Sequence, residues 1–116
     1  MDAKPLIVGI GASAGGIPAM EGFFRHLPDS DEMAFVVVTH LSPERESLLH
    51  QVIARQTSMP VQVAQEGAKV EAGNVYVMPE NATLSIEGGR LRLHELEPAH
   101  RERKPIDVFF AALALD

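Results

Sequence analysis

The sequence predicts an α/β fold, a mostly parallel sheet that also carries an antiparallel hairpin. Three observations lead there. Leu6–Ile10 and Ala34–Val38 are continuous apolar runs, the pattern of strands buried on both faces of a parallel sheet. Each run is followed by apolar residues at helical spacing. The resulting β-α-β-α order becomes neighbouring parallel strands through right-handed crossovers. Further on, Leu84 and Ile86 face Leu91 and Leu93 across Gly88-Gly89, a strong hairpin signal.

The elements follow in order. After the first strand comes a glycine-rich turn, Gly11–Gly16, and then Pro18, which suits the first turn of a helix because its missing N–H costs nothing there. Met20, Phe23, Phe24 and Leu27 give that helix an apolar face, and His26 and Pro28 mark its end. The second strand, Ala34–Thr39, runs into His40-Leu-Ser-Pro43. A helix from Pro43 to about Gln56 carries Leu48, Leu49, Val52 and Ile53 on one side. Val61–Val63 and Asn74–Met78 read as short strands, separated by a turn region holding Gly67 and Gly73. Glu97–Lys104 is a charged linker, and the chain stops at Asp116 inside the apolar, helix-like stretch Ile106–Leu115. An exposed apolar helix is an unusual place for a domain to finish, so the chain reads as the front part of something longer.

Composition narrows the function classes. A chain of 116 residues with 46% hydrophobic residues suits one small globular domain. A formal charge of −6 disfavours a nucleic-acid binder, which needs cations to displace counterions from phosphates. The absence of cysteine excludes disulfides, thiolate metal sites and a cysteine nucleophile. No apolar run is long enough to insert in a membrane, and no signal peptide precedes the first strand, so a cytoplasmic location is the default. The histidines His26, His50, His94 and His100 share no metal-ligand spacing with nearby carboxylates. Neither a metal nor a cofactor is expected.

Two residues stand out chemically. Ser13 sits on the tight turn between the first strand and the first helix, with Ala12, Ala14, Gly15 and Gly16 leaving the backbone open to close approach. A helix N-terminus there can bind a phosphate or stabilise an oxyanion beside a serine nucleophile. The glycine pattern does not choose between them, and Ser13 as a simple helix N-cap is a third reading. Ala14 replaces the last glycine of a dinucleotide fingerprint, and no acidic residue closes the second strand, which weakens the nucleotide reading. If the first two strands are neighbours, His40 shares an edge with Ser13, and an imidazole within reach of a hydroxyl is the general-base half of a serine hydrolase site. A histidine merely hydrogen-bonded at a strand end is the competing reading. Gly11–Gly15 also fits the short Gly-x-Ser-x-Gly pattern.

Val8–Gly16 followed by Val37–Pro43, then Asn74–Pro79 and His100–Phe110, together resemble the catalytic domain of the chemotaxis protein-glutamate methylesterases, the CheB family. The matches come in the right order and cover nearly the whole chain. The resemblance implies a doubly wound, three-layer α/β/α sheet, mostly parallel with an antiparallel hairpin and here truncated, so that residues 1–116 form the N-terminal portion of one methylesterase domain. It implies a serine hydrolase that removes methyl esters from glutamates on chemoreceptor helices, releasing methanol, with related members also deamidating glutamines. By position, Ser13 would be the nucleophile, His40 its base, the Ala14 N–H an oxyanion donor, and Arg101 and Arg103 basic substrate contacts. A solvated linker is the plainer reading of those two arginines.

The pattern departs from many members at Ala14, where they carry Thr, and at Leu41-Ser42-Pro43, where they carry Met-Pro after the histidine. Such variants resemble esterase domains of fused CheB–CheR proteins, which makes a fused methyltransferase domain a candidate partner beside the methylated receptor helices. These residues begin directly at the first strand, so regulation through a phosphorylated receiver domain is not visible in them. The family's triad aspartate falls in a glycine-rich turn expected beyond Asp116. Asp107 matches a helix start instead, and Asp29 and Asp31 belong to the loop after the first helix. A triad without its acid loses about 10⁴ in rate, so the piece alone is expected to be inactive. The alternative from another class is a non-catalytic signalling or interaction module of the same fold.

Overall fold

The structure is a computed structural model that describes residues 6–13, 17–27, 32–40, 43–79, 82–95 and 113–114. Its elements are β1 (Leu6–Ser13), α1 (Ile17–His26), β2 (Met33–His40), α2 (Pro43–Ala54), β3 (Val61–Val63), β4 (Val75–Val77), β5 (Ala82–Glu87) and β6 (Arg90–Glu95). β1 to β4 form a parallel sheet in the order β1-β2-β4-β3, and β5 and β6 form an antiparallel pair. The mostly parallel sheet with a hairpin is therefore as the sequence predicts.

Crossover handedness explains where each connection lies. The chain moves in one direction along the sheet from β1 to β2 and on to β3, so two crossovers of the same hand place α1 and α2 on the same face. It then steps back from β3 to β4, and a connection of the same hand must cross the other face. Ala64 and Val70 of that connection are indeed buried with Leu84, Ile86 and Leu91 of the hairpin. The sheet is thus covered on one side by the two helices and on the other by the hairpin, residues 64–74 and Leu113.

β2 lies at the centre. Ala34, Val36 and Val38 face the hairpin core while Phe35 and Val37 face the helices, and all five are essentially inaccessible. That is why this strand reads as an unbroken apolar run rather than an alternating one. On α1, Met20 and Phe24 are buried, with Leu27 packed at the margin of the same cluster. Phe23 sits at the boundary, 44% exposed, its ring edge-on to Phe24 and Phe35 at 5.3 and 6.2 Å. On α2, Leu49 and Ile53 are buried. The helix ends two residues earlier than its apolar spacing suggests: Gln56 N–H donates to Ile53 O at 2.9 Å, a tightened final turn. Arg25 Nε donates to Gln56 Oε1 at 3.0 Å and ties the two helix ends together.

The hairpin has the register the sequence predicts, with Leu84 opposite Leu93 and Ile86 opposite Leu91. Its two turn residues, Gly88 and Gly89, have φ of 60° and 74°, the type I′ geometry whose twist matches that of the strands. Residues 67–70 add a short third row alongside β6. Gly67 N–H donates to Leu91 O, Leu91 N–H to Ala68 O and Val70 N–H to Gly89 O, all at 2.8–2.9 Å. Glu66 extends that row with a side chain: Oε1 accepts the Leu93 N–H at 2.8 Å, and Oε2 accepts from Arg92 at 3.0 Å. Beneath it, the Tyr76 hydroxyl accepts from Glu71 N–H and donates to Lys69 O, so the buried phenol is satisfied.

Candidate active site

Parallel strands deliver their C-terminal ends to one edge, and the ladder between β1 and β2 decides what meets there. It runs unbroken from Leu6 opposite Met33 to Ser13 opposite His40. Ser13 and His40 are each the last residue of their strand and are direct register partners. Neighbouring strands lie about 4.8 Å apart. β4 reaches the same edge on the other flank of β2, where Met78 N–H donates to Val37 O at 2.9 Å. The strand adjacency that the hydrolase reading needs is present.

The surrounding backbone favours negative charge at this edge. α1 begins at Ile17, shortly after Ser13, and α2 begins at Pro43, shortly after His40. Both helices therefore start from the edge, and a helix N-terminus carries unpaired N–H groups and a partial positive charge. No acidic residue lies in the first turn of α1 to offset it. Because α1 starts at Ile17 and Ser13 is still paired in the sheet, Ser13 is not the N-cap of this helix.

Topology also marks where the connections part. β1 and β2 continue into helices on one face, whereas β4 continues into the hairpin on the other. In open α/β sheets the opening lies where the connections part, here between the C-terminal ends of β2 and β4. His40 closes one of those strands, and Met78 and half-buried Pro79 follow the other. Asn74–Met78 reads from the sequence as a short strand; its place beside β2 depends on long-range order that local pattern does not carry.

Ala14, Arg101 and Arg103 lie outside the described residues, as do Asp29, Asp31, His100 and Asp107. The remaining histidines are accounted for without catalysis. His26 is exposed in the last turn of α1, His50 is half-buried on α2, and His94 Nε2 lies 2.9 Å from Ser85 Oγ on the hairpin. Among the described residues no cluster of His, Asp or Glu could hold a metal ion, and no helix is long and apolar enough to cross a membrane.

A mostly parallel sheet thus brings Ser13 and His40 into register at its C-terminal edge, beside two helix N-termini. The chain belongs to the CheB methylesterase family, whose model matches residues 8–116. A protein-glutamate methylesterase/protein-glutamine glutaminase of Nitrosospira multiformis is 31% identical over 113 residues, covering 97% of this chain and 32% of that protein. A relative of the same description from Burkholderia orbicola is 34% identical over 112 residues, covering 96% of this chain and 33% of the other. The crystal structure of the Thermotoga maritima CheB methylesterase catalytic domain superimposes with a TM-score of 0.80 at 25% identity, over 97% of this chain and 62% of that one. The chain spans about a third of the length of the curated relatives it matches.

Proposed function

We propose that this chain supplies the nucleophile and the base of a protein-glutamate methylesterase acting on methylated chemoreceptor helices in the cytoplasm. The observation that carries the proposal is the pairing of Ser13 with His40 at the last rung of the β1–β2 ladder. The family membership and the relatives' names support the reaction class.

The chemistry runs as acyl transfer. His40 takes the Ser13 proton as the Oγ attacks the γ-ester carbonyl carbon, giving a tetrahedral oxyanion. The N–H of Ala14, the residue after the nucleophile, and the positive end of α1 stabilise that charge. The carbon–methoxy bond then breaks, and His40 returns its proton so that methanol leaves. Water, deprotonated by His40, attacks the glutamyl–serine ester, and collapse of the second tetrahedral species frees the glutamate carboxylate and restores Ser13. With a glutamine side chain the same steps would release ammonia, as the relatives' double name describes. Arg101 and Arg103 are assigned to contacts with the substrate. The acid that orients His40 is assigned to a part of the domain after Asp116, and residues 1–116 alone are expected to lack activity. The variants at Ala14 and Leu41-Ser42 favour a protein in which a CheR-type methyltransferase domain is fused to the esterase.

Replacing Ser13 by Ala or His40 by Gln in the full-length protein is expected to lower methanol release from methylated receptor by about 10⁴-fold or more. Methanol release at the wild-type rate by Ser13→Ala would remove the assignment.

A further inference from the structure

The hairpin turns one face inward, with Leu84, Ile86 and Leu91 buried. Strand alternation puts Arg90, Arg92 and His94 on the outward face. Lys69, bridged in antiparallel register to Arg90, joins the same face. Lys69, Arg90 and His94 are exposed, and the Arg92 side chain is 42% exposed while Glu66 holds it in place. Carboxylates border this row at Glu66 and Glu87, yet it gathers three cations and a histidine in a chain whose net charge is −6.

The row also has a direction. Gly89 pairs with Val70, whereas Leu93 is held by Glu66, which follows the C-terminal end of β3. β6 therefore runs toward the edge where β1 and β2 end, and His94 lies at the near end of the row. Residues two apart on a strand are separated by about 6.7 Å. Carboxylates at i and i+4 on a helix are about 6 Å apart, so a helix bearing glutamates at that spacing matches His94, Arg92 and Arg90 in turn.

We propose that the outward face of the hairpin, centred on Arg92, docks a carboxylate-bearing helix of the protein substrate and leads its modified glutamate to the Ser13–His40 edge. This rests on the methylesterase reading. In a chain whose net charge is −6, an acidic partner is attracted only where cations gather, as they do in this row.

The test uses the full-length protein with two substrates, methylated receptor and the small ester N-acetyl-glutamate γ-methyl ester. Lys69→Glu/Arg90→Gln, which spares the Arg92–Glu66 pair, is expected to raise KM for receptor about tenfold and leave kcat and small-ester turnover unchanged. Arg92→Gln should act in the same direction, and added salt should raise the wild-type KM toward that of the variants. Unchanged receptor KM in both variants would overturn the docking surface, as would equal loss on the small ester. Ser13→Ala separates the two levels, because undiminished hydrolysis of both substrates by that variant counts against the methylesterase reading itself.

Discussion

Gly22 and Gly88 both have open space where a Cβ would stand, yet alanine is expected to act in opposite directions at the two sites. Gly22 lies inside α1, where a glycine loses more backbone freedom on folding than alanine. Gly22→Ala should therefore stabilise by about 0.5–1 kcal/mol. Gly88 has φ +60°, and a Cβ in that conformation costs about 1–2 kcal/mol whatever the room around it. Urea denaturation midpoints of the two variants check the pair. Core residues behave more simply. Phe24 is fully buried against Phe35 at 5.9 Å, and Phe24→Ala should cost about 3–5 kcal/mol, read by the same denaturation. At this scale much was legible. The pattern of Met20, Phe24 and Leu27 marks the packed face of α1, and Ser13 and His40 stand out by residue type. Phe23 shares that spacing yet is 44% exposed, because helical spacing alone does not show where the sheet ends and solvent begins.

At the scale of elements, the least legible part is residues 64–74. Their glycines mark turns, but three backbone hydrogen bonds and one carboxylate make residues 66–70 an added row of the hairpin sheet. No local pattern announces that a side chain, Glu66, will cap the edge of β6. The consequence is a pH signature. The Leu93 N–H and the Arg92 guanidinium hold the Glu66 carboxyl below its ordinary 4.5. A depressed carboxylate contributes stability that is present above its unfolded value and lost as pH falls through its folded value. Wild-type stability should therefore fall more steeply than that of Glu66→Gln as pH drops below about 4.5. Parallel slopes for the two proteins in acid denaturation would show that the carboxylate charge plays no part. Hairpin register, by contrast, was fully readable, since Gly88-Gly89 and the alternating leucines each specify it.

For the whole molecule, the β-α-β-α opening and the closing hairpin follow from hydrophobic period and turn chemistry, whereas the order β1-β2-β4-β3 does not. Val75–Val77 is a three-residue strand buried on both faces. Its position between β2 and β3 comes from the reversal of direction after β3, a property of the assembled chain. That reversal puts the point where the connections part beside the C-terminal end of β2. Ordered motifs supplied the family, and the ladder supplied the pairing of Ser13 with His40. Under the proposed function this pairing forms a working nucleophile and base. The most direct measurement treats the full-length protein with a fluorophosphonate probe and maps the adduct by peptide mass spectrometry. A single adduct on Ser13 is expected, lost in Ser13→Ala and strongly slowed in His40→Gln. Failure to label Ser13 under conditions where the protein hydrolyses receptor methyl esters would contradict it.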